Sequence, residues 1–178
     1  MSSIIVAGDT SGSVTLQAPA VAGSTVLTLP AVSGTVLTSA SSQVTGPAFS
    51  AYQSSAQTLS SNTGTKIQFQ TEEFDTNSNF DNTTNYRFTP TVNGYYQVNS
   101  VINWATTSTR GFLNIYKNGS AFKQGMNISL CDGAALSALV YLNGSTDYIE
   151  MYGQLTVGQA LNATSQYTYF QAVMVRSA

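Results

Sequence analysis

The alternation of apolar and polar positions is clearest between Phe88 and Trp104, FTPTVNGYYQVNSVINW. At period two, Tyr96, Val98, Ser100, Ile102 and Trp104 share one face of a strand, and Tyr95, Gln97, Asn99, Val101 and Asn103 share the other. The first set can enter a core. The second is polar but carries a tyrosine and a valine, too apolar for a face that meets only water. Asn-Gly pairs stand at Asn93, Asn118 and Asn143, twenty-five residues apart each time, and this pair accepts positive φ at both centres of a type I′ turn. The flanks agree at Asn118, where Leu113 and Ile115 alternate with Asn114 and Tyr116 before the turn and Ala121-Phe122 follow it. LNIYKNGSAF therefore predicts a hairpin. Further strands are predicted at Ile67 to Phe69, Ala138 to Leu142, Tyr148 to Tyr152 and Tyr167 to Val175, and no stretch sustains a capped helical period. Roughly seven to ten strands in this length predict an all-β fold, a sandwich or jelly roll.

The pattern differs before Gly46. SVTLQAPAVAG is followed by STVLTLPAVSG and GTVLTSA, with Pro19 and Pro30 eleven residues apart. Each unit predicts a short β-branched strand, Val14 to Leu16 or Val26 to Leu29, stopped by proline and turned at glycine. Such strands are too short to bury a core alone, so this part of the chain needs a partner surface. SASSQVT, Ser39 to Thr45, predicts a flexible joint. The expected division is an N-terminal segment, 1–45, and a β head, 46–178.

Composition narrows the function classes. Charged residues make up 8% of the 178, so no stripe of like charge exists to attract nucleic acid or an anionic membrane. No apolar run approaches the roughly 20 residues of a membrane span, and the first residues have neither the basic start nor the apolar run of a signal peptide. The five Asn-x-Ser/Thr sequons, at Asn82, Asn118, Asn127, Asn143 and Asn162, then follow from the abundance of Asn, Ser and Thr. Cys131 is the single cysteine, which excludes an intrachain disulfide and predicts a small buried hydrophobe. Histidine is absent, which removes Ser-His and Cys-His nucleophile pairs and histidine metal sites. The remaining acidic cluster, TEEFDTNSNFD, could align Glu73 with Asp75 as glycosidase acids align, but reads first as a solvated loop between strands. Asp75-x-Asn77-x-Asn79-x-Asp81 begins like a calcium loop, yet Phe80 and Tyr86 stand where such loops need glycine and a bidentate glutamate. No catalytic residue, metal or cofactor is expected.

Taken in order, GPAFSAY, KIQF, FDTNSNFDNTTNYRFTPTVNGYYQVN, LNIYKNGSAF, LSALVYLNGSTDYIEMY and YTYFQAVMV resemble the complement component 1q globular-head family, jelly rolls related to tumour necrosis factor. The resemblance runs from about Gly46 to Arg176; the family often has Gly-Asp before its penultimate strand, and here Gly144-Ser-Thr-Asp147 stands in that place. It implies a ten-stranded jelly roll assembled as a homotrimer. Phe49, Phe69, Phe88, Tyr96, Trp104 and Ile115 are the expected core. Tyr95, Gln97 and Val101, with Tyr169 from the closing strand, are the expected trimer interface, the alternative being that Tyr95 is an amphipathic residue on an open sheet face. GDTSGSVTLQAP and STVLTLPAVSGTVLT resemble the segments that open tailed-phage fibre and virion proteins. That likeness implies a non-enzymatic virion protein, assembled in the host cytoplasm. It would attach to other virion proteins through residues 1–40, with Val14, Leu16, Val26 and Leu29 as candidate contacts. The head would be displayed as a short fibre or receptor-binding tip, with host polysaccharide as candidate ligand; the alternative is a capsid decoration protein at threefold positions.

Overall fold

The computed structural model describes residues 3–17, 20, 21, 23, 24, 26, 31 and 46–178. The chain divides into two compact units between Gln43 and Val44. In the first unit, β1 (Ser3–Ala7) and β2 (Ser13–Gln17) form an antiparallel hairpin closed by a bond from Gly8 N to Gly12 O at 2.9 Å. Val14 to Leu16 is a strand as expected, and it pairs with a further strand, β1, that the alternation does not predict. Ile4 opposes Leu16 and Val6 opposes Val14, so alternation puts four aliphatic side chains on one face, all exposed within this unit. Val26 is exposed and joins no strand among the described residues, while Leu29 and the predicted joint at 39–45 lie outside the described residues.

The second unit is a two-layered jelly roll. Its strands are β3 (Ala48–Tyr52), β4 (Thr58–Leu59), β5 (Thr65–Lys66), β6 (Thr71–Asp75), β7 (Phe80–Asp81), β8 (Arg87–Phe88), β9 (Gly94–Lys117), β10 (Ser120–Gln124), β11 (Ile128–Leu142), β12 (Ile149–Leu155), β13 (Gln159–Ala160) and β14 (Tyr169–Ser177). No helix occurs among the described residues. One layer runs β11, the first half of β9, β14, β3, β6; the other runs β10, the second half of β9, β12, then β5 and β8 side by side on the next edge, with β7 beyond β8. β9 thus belongs to both layers. Its register against β11 passes from Asn103↔Gly133 to Ser108↔Cys131, a bulge in which β9 holds more residues than its partner. Inward-facing positions are even-numbered before the bulge (Tyr96, Val98, Ser100, Ile102, Trp104) and odd-numbered after it (Leu113, Ile115). An unbroken period-two strand could not keep both halves facing one core.

Phe49 is the centre of the aromatic core, stacked on Phe80 and Phe88 with centroids 4.6 Å away in each case and meeting the edge of Phe170 at 4.9 Å. Phe49, Phe69, Phe88, Tyr96, Trp104 and Ile115 are all buried between the layers. Two carry polar atoms inward, and both are bonded: Tyr96 Oη donates to Val92 O at 2.5 Å, and Trp104 Nε1 donates to Cys131 O at 3.0 Å. Burial pushes the Tyr96 phenol up to about 12. Cys131 is only half-buried, because it lies where β11 leaves the sandwich beside the bulge. Ile67 to Phe69 is likewise not a laddered strand; Ile67 N reaches Met151 O at 2.9 Å, and the residue is held by burial beyond the two-residue β5.

The three Asn-Gly pairs take three different conformations. Asn118 and Gly119 have φ of 53° and 78° and close the β9–β10 hairpin as expected of a type I′ turn. At Asn143 only Gly144 is left-handed, and at Asn93 neither residue is. Asp147 explains the difference at the second pair. Its carboxylate accepts from Asn118 Nδ2 at 2.8 Å and from Asn143 N at 3.2 Å and pairs with Lys117 Nζ at 2.8 Å. Asn143 Oδ1 in turn caps the amides of Ser145, Thr146 and Asp147. A Cβ on Gly144 would lie 2.3 Å from Asn93 N, so the three turns meet at one end of the head.

Lys117, then the Asn118 amide, hold the Asp147 carboxyl below its ordinary value of 3.8 against the opposing effect of burial. Its stabilising contribution is therefore complete above that value and is lost as pH falls toward the lowered one. Asp147→Asn should cost about 2–3 kcal/mol at pH 7 through the lost ion pair and mismatched donors. Urea midpoints measured from pH 6 down to pH 2.5 should fall less steeply in the variant than in the parent; parallel curves would show that Asp147 is not the clamp.

Candidate functional site

The surface that stands out is the outward face of the β11–β9–β14–β3–β6 layer. Its cross-strand rows read Tyr141–Tyr95, Leu139–Gln97–Val173–Ala48, Ser137–Asn99–Gln171–Ser50–Phe74 and Ala135–Val101–Tyr169–Tyr52. Five strands at the usual spacing make this face about 19 Å wide. Tyr95 (40% exposed), Leu139 (53%), Tyr141 (43%), Val173 (44%) and Phe74 (50%) leave much apolar surface in water. Tyr95 and Tyr141 lean together with centroids 5.6 Å apart. Between the two middle rows Gln97 Nε2 donates to Ser137 Oγ at 2.9 Å, and Ser137 Oγ donates to Asn99 Oδ1 at 2.8 Å. This leaves a flat polar strip between two apolar margins. A shallow depression of about 450 Å³ lies over Asn99, Val101, Ser137, Tyr169 and Gln171.

Charge is confined to the rim. Arg176 pairs in register with Tyr95 near the end of β14, and Glu73, on the edge strand β6, accepts from Ser50 Oγ at 2.7 Å. Tyr95, Gln97, Val101 and Tyr169 all point outward on this face, whereas Tyr96 beside Tyr95 is buried. Leu139, Tyr141, Val173 and Phe74 were not singled out in the sequence. In LSALVYL both strand faces are apolar, Leu136, Val140 and Leu142 inward and Leu139 and Tyr141 outward, so alternation alone gives no contrast there.

The acidic run forms an edge strand, not a loop, from Thr71 to Asp75, followed by a tight turn. Glu73 is engaged by Ser50, and burial, with a smaller effect from Asp75, raises the Glu72 carboxyl. Asp75 accepts from Asn77 N at 3.2 Å and Phe80 N at 2.7 Å. Asp81 accepts from the amides of Thr83, Thr84 and Asn85 and from Asn85 Nδ2, and these bonds hold it well below the usual carboxylate range. The two carboxylates of the calcium-like spacing are therefore turn caps, and no cluster of three metal-ligating side chains occurs among the described residues.

No protein-family model matches the sequence, and no curated protein matches it. Solved structures do. Murine APRIL aligns with a TM-score of 0.59 at 10% identity, covering 72% of this chain and 98% of the APRIL chain. The Eiger TNF of S. frugiperda aligns with a TM-score of 0.59 at 10% identity, covering 75% and 95%. PRD1 vertex protein P5 aligns with a TM-score of 0.50 at 15% identity, covering 74% and 98%. The fold is a tumour necrosis factor-like jelly roll. The likeness spans nearly the whole of each of those chains.

Because the carboxylates of the Asp75–Asp81 turn already accept backbone amides, adding EDTA should leave the melting temperature unchanged within about 1 °C, and adding millimolar calcium should not raise it. A native-state ligand stabilises by mass action, so a drop of many degrees in chelator would show a metal site here.

Proposed function

We propose that this is a non-enzymatic structural protein of a tailed-bacteriophage virion. Three heads assemble through the face that carries Tyr95, Gln97, Val101 and Tyr169, and the segment 1–45 attaches the trimer to the particle. The observation that carries this reading is that face: nearly uncharged, flat, and apolar at both margins in a chain otherwise rich in Ser, Thr and Asn. Exposed apolar area of this extent, with a polar strip already satisfied within the chain, fits an obligate contact between copies better than a hydrated surface. The tumour necrosis factor-like fold and the sequence resemblance to complement component 1q heads both favour three copies.

The virion setting is supported by the openings GDTSGSVTLQAP and STVLTLPAVSGTVLT and by the likeness to PRD1 vertex protein P5. The β1–β2 hairpin fits an attachment role. Ile4, Val6, Val14 and Leu16 form an aliphatic face that a two-stranded hairpin cannot bury by itself. Display outward as a short fibre or receptor-binding tip is the leading form of the proposal, with host polysaccharide as its ligand. The vertex location named for the PRD1 protein favours keeping a second form, decoration of the capsid shell by the same trimer.

Light scattering behind a sizing column should give three times the 18.8 kDa chain mass, undiminished by dilution, since an obligate interface buries on the order of 2,000 Å². Leu139→Glu would set like charges near one another in the assembly, and should yield monomers that keep their β-sheet circular dichroism. A folded wild-type monomer, or a trimer indifferent to Leu139→Glu, overturns the assignment of the face.

A chain beginning at Gly46 should fold and trimerise alone, and virus carrying that deletion should assemble particles lacking the protein. Aggregation or a monomeric head would instead make the first 45 residues part of the trimer's own fold. Purified head that competes with phage adsorption favours the fibre, and a head without effect favours decoration.

A further inference from the structure

The outward face of the second layer carries a different surface. Tyr116 of β9 stacks on Tyr152 of β12 with ring centroids 3.9 Å apart and planes 21° from parallel. Its hydroxyl reaches past β12 to the approach to β5, where a Cβ on Gly64 would lie 3.7 Å from it. The ring therefore lies along the sheet, with Tyr152 beneath it. Beside this stack, the Arg87 guanidinium of β8 sits 4.4 Å over the Tyr148 ring. Tyr116, Tyr148, Tyr152 and Arg87 are each half-buried, so ring and guanidinium surface remain in contact with water.

Glu150 is buried between the two stacks and pairs with Lys66, which also donates to Asn85 O at 3.2 Å. The carboxylate is thus matched by the lysine. Arg87 makes no ion pair or side-chain hydrogen bond among the described residues. Its fork of five donors is left to an external acceptor, and a planar carboxylate is the acceptor that fits a guanidinium best. In a chain with six Lys and Arg in all, Lys66 and Arg87 are balanced in this patch by Glu150 and by Asp81, the register partner of Arg87 on β7, so selection of an anion falls to the donors of the guanidinium and not to net charge. Register places Arg87 and Tyr116 on the two strands that flank Glu150, one on each side. Two strand spacings separate them by about 10 Å, a distance that two linked pyranose rings span.

We propose that this face binds an acidic oligosaccharide, the carboxylate of one sugar meeting Arg87 while the apolar face of a neighbouring pyranose stacks on Tyr116. The proposal rests on the outward display described above, which leaves this layer free while the other is covered by sister copies. Three such faces on one trimer would convert weak single contacts into firm attachment.

The test is titration of the full chain with a tetrasaccharide of alternating N-acetylglucosamine and glucuronate, followed by calorimetry and saturation-transfer NMR, with the neutral tetramer of N-acetylglucosamine as comparator. The acidic sugar should bind, the neutral one at least about tenfold more weakly, and added salt should weaken the acidic complex. Arg87→Gln should remove the preference for the acidic sugar, and Tyr116→Ala should weaken binding about tenfold, while Tyr116→Phe, which keeps the ring, retains it. Melting temperature and mass are measured on the same samples to show that each variant is folded. Absence of binding, equal binding of both sugars, or indifference to Arg87→Gln overturns the proposal. A monomer that binds would sink the trimer and leave this site standing, whereas a trimer that does not bind sinks this site alone.

Discussion

The architecture depends on one strand changing the parity of its inward positions. β9 supplies the centre of both layers, and only the bulge between Asn103 and Ser108 lets Tyr96 to Trp104 and Leu113 to Ile115 face the same interior. Everything beside β9 takes its orientation from this. β11 and β14 align with the first half, so their outward residues extend the row begun by Tyr95 and Gln97. β12 and β10 align with the second half, so Tyr116 and Tyr152 come together on the opposite exterior. A sheet that folded over without the shift would bury Asn114 and Tyr116 and expose Leu113 and Ile115.

The few charges in this chain are placed in a way that keeps its broad faces neutral. Lys66 with Glu150, and Lys117 with Asp147, account for the ion pairs among the described residues, and Asp75 and Asp81 are turned onto their own backbone. The first layer is left with amides, hydroxyls and apolar rings, which suit close contact with an identical surface because a twofold or threefold operation brings no like charges together. The second layer holds Arg87, whose guanidinium lies over the Tyr148 ring and forms no ion pair among the described residues. The two exteriors of one sandwich thus have opposite chemistry.

Much of the fold was legible because alternation in GYYQVNSVINW and LNIYKNGSAF is undisturbed by competing signals. The opposite burial of Tyr95 and Tyr96 follows directly from it. What could not be read are features that depend on non-local partners. The β1 strand has no clear mark in the sequence because SIIVA alternates weakly and acquires meaning only opposite SVTLQ. The turns at Asn93 and Asn143 share their dipeptide with the hairpin at Asn118, but Asp147 and the packing of Gly144 on Asn93 select other conformations. The tyrosine and arginine stacks of the second layer join β8, β9 and β12, strands far apart along the chain, and no local motif marks their meeting.

The clamp at Asp147 has a chemical as well as a mechanical side. In a mobile chain an asparagine followed by glycine ages by attack of the glycine nitrogen on the asparagine side-chain carbonyl, which closes a succinimide and later leaves an aspartate or isoaspartate. Asn118 Nδ2 is tied to Asp147, and Asn118 Oδ1 accepts from Tyr148 N at 2.9 Å. Asn143 Oδ1 is held by three amides, so in both turns the side chain must break its bonds before it can reach the nucleophile. A sequence that uses the most ageing-prone dipeptide at both turns is thereby given a long chemical lifetime by folding, and the onset of deamidation becomes a clock for local opening at that end of the molecule.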